Sequence, residues 1–174
     1  HAKIMDYMGL SKTPYNKINI HVGGAYGDKD AALERFCNNF KRLQPSTRAR
    51  LTVENDDKGN MYSVKDLYYG VYGVIGIPIV FDYHHHQFCT GEMSEREALE
   101  LALKTWPDNI RPMTHYSEGR DIEYAMRGID EKVIPQAHSD YIYNEIQTYG
   151  HSFDIMVESK AKELTIQKYR EKTL

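Results

Sequence analysis

Histidines and carboxylates recur at the ends of short apolar runs in this 174-residue chain. The runs are Ile18-Asn19-Ile20-His21-Val22, Leu51-Thr52-Val53-Glu54, Ile77 to Asp82, Ile110 to His115 and Phe153 to Glu158. Each has the length and the β-branched, apolar composition of a strand. Toward their C-terminal ends stand His21; Glu54, followed by Asn55, Asp56 and Asp57; Asp82, followed by His84, His85 and His86; His115; and Glu158, with Lys160 two residues on. Imidazole and carboxylate are ligands for zinc, manganese or iron. A carboxylate has two oxygens and can bridge two cations, while several carboxylates crowded together repel unless cations lie between them. Sets of two or three cations suit phosphate-ester cleavage, because they activate water, polarise the phosphoryl oxygen and stabilise the leaving oxygen.

Taken singly, a histidine near a strand end is more often structural than ligating. Five successive strand ends carrying ligand-type residues are harder to dismiss. Glu54 closes Leu-Thr-Val, where an unpaired carboxylate would be costly to bury. Alternate strand residues face opposite ways, so Asp82 and His84 share a face and a turn is needed to bring His85 in. His138 lies in a loop-to-helix segment and is unremarkable alone. His1, His86 and His151 read as structural or surface residues, the tyrosines as amphipathic packing, and the basic segment from Lys160 to Lys172 as a solvated helix face. Cys37 and Cys89 form no metal-type pair and read as two reduced thiols of a cytoplasmic protein.

Helical patterns separate the strands. Asp28-Lys29-Asp30 precedes an amphipathic stretch from Ala31 to Leu43, Ser63 to Asp66 is a cap-like start for Leu67 to Val74, and Ser94-Glu95-Arg96-Glu97 is a capping-box sequence. After the fourth run, Gly119, Gly128 and Pro135 break the pattern, which resumes around Ser139 to Tyr149; after the fifth, Ala161 to Lys172 reads as helix. Strands alternating with helices predict a parallel sheet. Without a Gly-rich phosphate loop, the choices are an open doubly wound sheet or part of a (β/α)8 TIM barrel. A full barrel takes roughly 250 residues, so this single domain, residues 1–174, would hold only the later βα units. The start, HAKIMDYMGL, has the helical spacing of Ile4, Met5 and Met8 with Gly9 as a stop, and no apolar core of a signal peptide. It is expected to continue from an earlier segment, making this the C-terminal part of a longer protein. In such a barrel the C-terminal strand ends meet at one mouth, so the five candidates would converge. The composition, 41% hydrophobic and 27% charged, is ordinary for a packed core. A net charge of -3 argues against a purely electrostatic nucleic-acid binder. It leaves room for a nuclease, whose cations supply positive charge.

INIHVGGAYGDK, LTVENDDK, VFDYHHH, IRPMTHYSE, AHSDYI and FDIMVESKAKE, in this order, resemble the C-terminal two-thirds of UV damage endonucleases. The resemblance runs through essentially the whole chain, and ENDDK and FDxHH together are its more specific motifs, the lone histidine motifs less so. It implies a TIM barrel related to AP endonucleases of the endonuclease IV type. The implied activity is nicking of double-stranded DNA immediately 5′ to cyclobutane pyrimidine dimers and (6-4) photoproducts, with up to three divalent cations, usually Mn2+. By motif, His21 would hold the first cation and Glu54 would bridge the first and second. Asp82, His115 and Glu158 would hold the second, and His85 and His138 the third. Lys160 matches a family lysine near the cluster and would meet phosphate, so Glu54 and Lys160 are the catalytic candidates. UV-damaged DNA is the implied partner, with no membrane and no protein partner, and the cytoplasm or nucleoid the implied location.

Two departures qualify that expectation. The family has a lysine, open to carboxylation as an extra ligand, two residues before the histidine of the fourth run; here it is Met113, whose thioether suits hard Mn2+ poorly. The family's N-terminal strands also supply a further metal histidine and a Gln-Tyr pair that probes the lesion, and neither precedes His1 here. The expected activity therefore belongs to the longer parent. The competing readings are a sugar isomerase or epimerase of the xylose-isomerase type and a non-catalytic binding remnant. The pair His85 and His138 favours phosphate chemistry over the first, and Met113 favours the second.

Overall fold

The computed structural model describes residues 1–173. Five strands, β1 (Ile18–Ile20), β2 (Leu51–Glu54), β3 (Ile79–Asp82), β4 (Met113–Tyr116) and β5 (Asp154–Val157), form one sheet in sequential order. Every pairing is parallel. The sheet curls into a half-barrel, and among the described residues β1 and β5 are its edges.

Register places the chemistry on one face. Asn19 pairs with Thr52, Glu54 with Val80, Asp82 with His115, and His115 with Met156. Because side chains alternate, Asn19, Thr52, Glu54, Val80, Asp82, Met113, His115, Asp154 and Met156 share the face that Glu158 continues beyond β5. The opposite face carries Leu51, Val53, Ile79 and Phe81, which bury against Val64, Leu67, Ala98 and Leu99 of the surrounding helices. The core therefore lies between sheet and helices, and the other face is free to be polar.

The helices begin where the sequence offers caps. Asp28 accepts from the Ala31 N–H at 3.0 Å to start Lys29–Phe40. Ser63 with Asp66 and Ser94 with Glu97 each form a reciprocal capping box, opening Val64–Leu67 and Glu95–Leu103. A π turn at Tyr68–Tyr72 continues the first of these toward Gly73–Ile75. The N-terminal helix spans Ala2–Tyr7, and the C-terminal helix Glu163–Thr173.

Two expectations are corrected. A helix forms at Arg120–Arg127, where glycines had suggested a break, and no helix forms over 139–149. The glycines bound the helix: Gly119 is its N-cap, and Gly128, at φ 66°, takes the left-handed conformation that ends it. The 139–149 segment instead follows buried Glu118, whose carboxylate accepts from Tyr143 N–H at 2.9 Å and Asn144 N–H at 2.8 Å. Those backbone donors are spent on a side chain and leave the helix nothing to propagate. Strand ends shift by a few residues: β1 stops at Ile20, and β3 and β4 start after Pro78 and Pro112, which lack an N–H for the ladder. Among the described residues no helix is long and apolar enough to cross a membrane. Cys37 and Cys89 are both free and buried.

Candidate metal centre

Glu54, at the end of β2, is the centre of the polar face. It is buried, and three imidazoles surround it. His115 Nδ1 stands 3.2 Å from Oε2, while His85 Nδ1 stands 3.4 Å and His21 Nε2 4.0 Å from Oε1. Asn19, on the neighbouring strand, donates to Oε2 at 2.5 Å, and Thr52 Oγ donates to the Asn19 carbonyl at 2.9 Å, fixing which end of that amide faces the glutamate. Burial pushes the Glu54 carboxyl up, but His115 with His21 and His85 more than reverses this and holds it below its ordinary value.

Asp82 ends β3 and starts a helical turn, Tyr83–His86. Its Oδ1 accepts from His85 N–H at 2.8 Å, so the turn needed to bring His85 to the polar face is capped by the aspartate itself. Asn55, fully buried, clasps the same strand end: its Nδ2 donates to Asp82 O at 3.0 Å and its Oδ1 accepts from Asp82 N–H at 2.8 Å. Burial raises Asp82 to about 6, helped by Glu54 and opposed by His85 and His115.

His115 lies within β4, and its Nδ1 is also 3.4 Å from Glu158 Oε1, just past β5. Burial works against its charged form, yet the hydrogen bond and charge of Glu54, with Glu158 and Asp82, raise its pKa overall. His21, just past β1, is raised chiefly by its bond to Asp56.

Two sets of side chains bring ligand atoms within 4.8 Å of one another: His21, Glu54 and His85; and Glu54, Asp82 and His115. Glu54 belongs to both. The donor set fits a divalent cation. Asp82 Oδ2 is buried without a hydrogen-bond partner, a costly state that a cation at this carboxylate would relieve. Glu158 reaches the second set through His115. His138 stands outside both, its ring edge-on to His84 at 5.6 Å, and burial lowers its pKa. It lines an open cleft of about 620 Å³ with Glu158 and Lys160. Lys160 is held there by its backbone N–H on Ser139 O at 3.0 Å, with its side chain exposed. Met113 is half-buried two residues before His115, on the same face and opposite Asp154.

The sequence reading gave no role to Asn19, Thr52, Asn55 or Asp56. Asn19 had a signal: a lone amide between two isoleucines, two residues before His21 and thus on its face.

The family model described as UV-endonuclease UvdE matches residues 1–172. A UV DNA damage endonuclease of Bacillus cereus (strain B4264) is 39% identical over 175 residues, covering 95% of this chain and 50% of that protein. One from Bacillus anthracis (strain A0248) is 36% identical over 178 residues, covering 97% and 51%. The crystal structure of SacUVDE superposes with a TM-score of 0.77 at 33% identity, over 99% of this chain and 56% of that one. The chain thus spans about half the length of the curated relatives it matches.

Proposed function

Since the chain belongs to the UV-endonuclease UvdE family, we propose that it takes part in metal-dependent nicking of double-stranded DNA on the 5′ side of UV photoproducts. The observation that carries this reading is Glu54, one buried carboxylate common to two ligand sets at the C-terminal mouth of a half-barrel. His21, Glu54 and His85 would hold one cation, and Glu54, Asp82 and His115, with Glu158 beside them, a second. Where a third cation is held by His138 and His85, as the resemblance implies, His85 would leave the first set to His21 and Glu54, because a neutral imidazole has one lone pair to give; burial favours the neutral ring of His138. Mn2+ is the cation the resemblance implies, and an all nitrogen and oxygen donor set suits it. Bound there, the cations would activate water and polarise the scissile phosphate.

The chain's own groups prepare for that. Asn19 and the three imidazoles keep Glu54 ionised and fixed in orientation. Asp82, desolvated and with one oxygen unpartnered, would be relieved by a cation at that oxygen. Lys160, exposed at the rim beside Glu158, would meet a backbone phosphate. Such an activity would act in the cytoplasm, at the nucleoid. A sugar isomerase loses its support with the family match.

The test is nicking of UV-irradiated against unirradiated plasmid with Mn2+. It is done with the chain alone and mixed with the part of the Bacillus cereus relative that lies outside the match. Lesion-dependent nicking by the mixture, absent without Mn2+, is the expected result. Equal nicking of both plasmids, or none by a mixture that binds Mn2+, would contradict it.

A further inference from the structure

The ENDD segment carries more than its glutamate. Asp56, two residues past Glu54, is buried, and both of its carboxylate oxygens are engaged. Oδ1 stands 3.1 Å from His21 Nδ1, and Oδ2 accepts from the Tyr62 N–H at 3.2 Å. The Asp56 backbone N–H donates to Tyr62 O at 2.9 Å, so the carboxylate is pinned from two sides. Asp56 belongs to neither ligand set. The other nitrogen of the same ring, His21 Nε2, faces Glu54 Oε1.

We propose that Asp56 is the positioning residue of the first cation site: its carboxylate takes the Nδ1–H of His21, fixes that tautomer and leaves the Nε2 lone pair directed at the Glu54 set. This rests on the metal reading above and adds to it a residue that touches no cation. The physics is that of a ligating histidine whose second nitrogen is held by an acceptor: the bond selects the tautomer, fixes the ring plane and makes the free nitrogen more basic. His21 needs such a partner most, because its side chain is the most exposed of the three imidazoles around Glu54. His85 is held differently. Its Nδ1 lies 2.9 Å from the main-chain carbonyl of Asn55, an acceptor that no side-chain substitution removes. The two histidines thus supply a test and its internal control.

The experiment follows the imidazole nitrogens of the 15N-labelled full chain by long-range proton–nitrogen correlation. It is run without metal, at a pH where both rings are neutral. The wild-type chain is expected to show His21 and His85 both as Nδ1–H. In Asp56→Asn, the one remaining side-chain oxygen stays with the buried Tyr62 N–H, which has no water to replace it, and the NH2 turns to His21. His21 then shifts toward the Nε2–H form while His85 is unchanged, and Mn2+ affinity by calorimetry falls ~10–100-fold. Asp56→Glu keeps two acceptor oxygens; it is expected to restore the Nδ1–H form and most of the affinity, which separates this effect from a folding defect. An unchanged His21 tautomer and unchanged Mn2+ affinity in Asp56→Asn would overturn the proposal. A wild-type chain with His21 as Nδ1–H that binds no Mn2+ would overturn the metal reading instead, while the Asp56–His21 pairing would stand.

Discussion

Asp82 combines burial with a carboxyl that has one oxygen on the His85 N–H and the other without a partner. Its folded value of about 6 lies above its ordinary 3.8, so the fold favours the protonated form. Between those values the folded chain holds a proton that the unfolded chain has lost, and stability from this group, complete below 3.8, is lost as pH rises through about 6. Asp82→Asn cannot ionise. In a metal chelator its thermal midpoint should match the wild type near the acid end of this window and exceed it increasingly up to neutral pH. Added Mn2+ should reverse the order, because only the wild type gains a cation at that carboxylate. Parallel melting curves across the pH range would show that Asp82 carries no such penalty. Asp82 and Glu54 were legible in the sequence because each ends an apolar run. Asn19 and Asp56 were not given roles, because what they do depends on which neighbour lies across the sheet or around the loop. Register and loop shape decide that, not residue type.

The elements were legible where periodicity and caps agree, as at Ser94 to Leu103, and failed where a tertiary contact overrode them. The segment after β4 is the case in point: Glu118, from the strand's own end, holds Tyr143 and Asn144 and so shapes the loop that begins at His138. Glu118→Ala should cost about 3 kcal/mol or more in unfolding free energy, since three hydrogen bonds to its carboxylate are lost, from Tyr143 N–H, Asn144 N–H and the Tyr116 hydroxyl. It should also open the 133–147 segment to limited proteolysis. A cleavage rate equal to wild type would mean that the loop is held elsewhere. On β4 itself, Met113 faces the same side as His115 and offers no charge toward the two ligand sets. Met113→Lys adds a group that can be carboxylated there. Mn2+ saturation should then occur at a lower concentration, most clearly in bicarbonate buffer. An unchanged titration would mean that the second set is already complete without it.

At the scale of the whole molecule, a curled parallel sheet buries one face under helices and turns its polar face inward. The alternation of strands and helices made that architecture readable from the sequence, whereas convergence on a single glutamate required the registers. Among the described residues β1 and β5 have no strand on their outer sides, and Met156 of β5 is 47% exposed. Unpaired strand edges invite association, so the chain alone should elute from size exclusion as oligomers. A sharp monomer peak would show that these edges are protected. The central claim is that Glu54 ties two cations together, and electron paramagnetic resonance of the Mn2+-loaded chain reads that directly. Two Mn2+ ions sharing a carboxylate are spin-coupled, so the wild type should give a broad exchange-coupled spectrum, and Glu54→Gln the six-line signal of isolated ions at lower stoichiometry. A six-line spectrum from the wild type, or a coupled spectrum that survives in Glu54→Gln, would contradict the account.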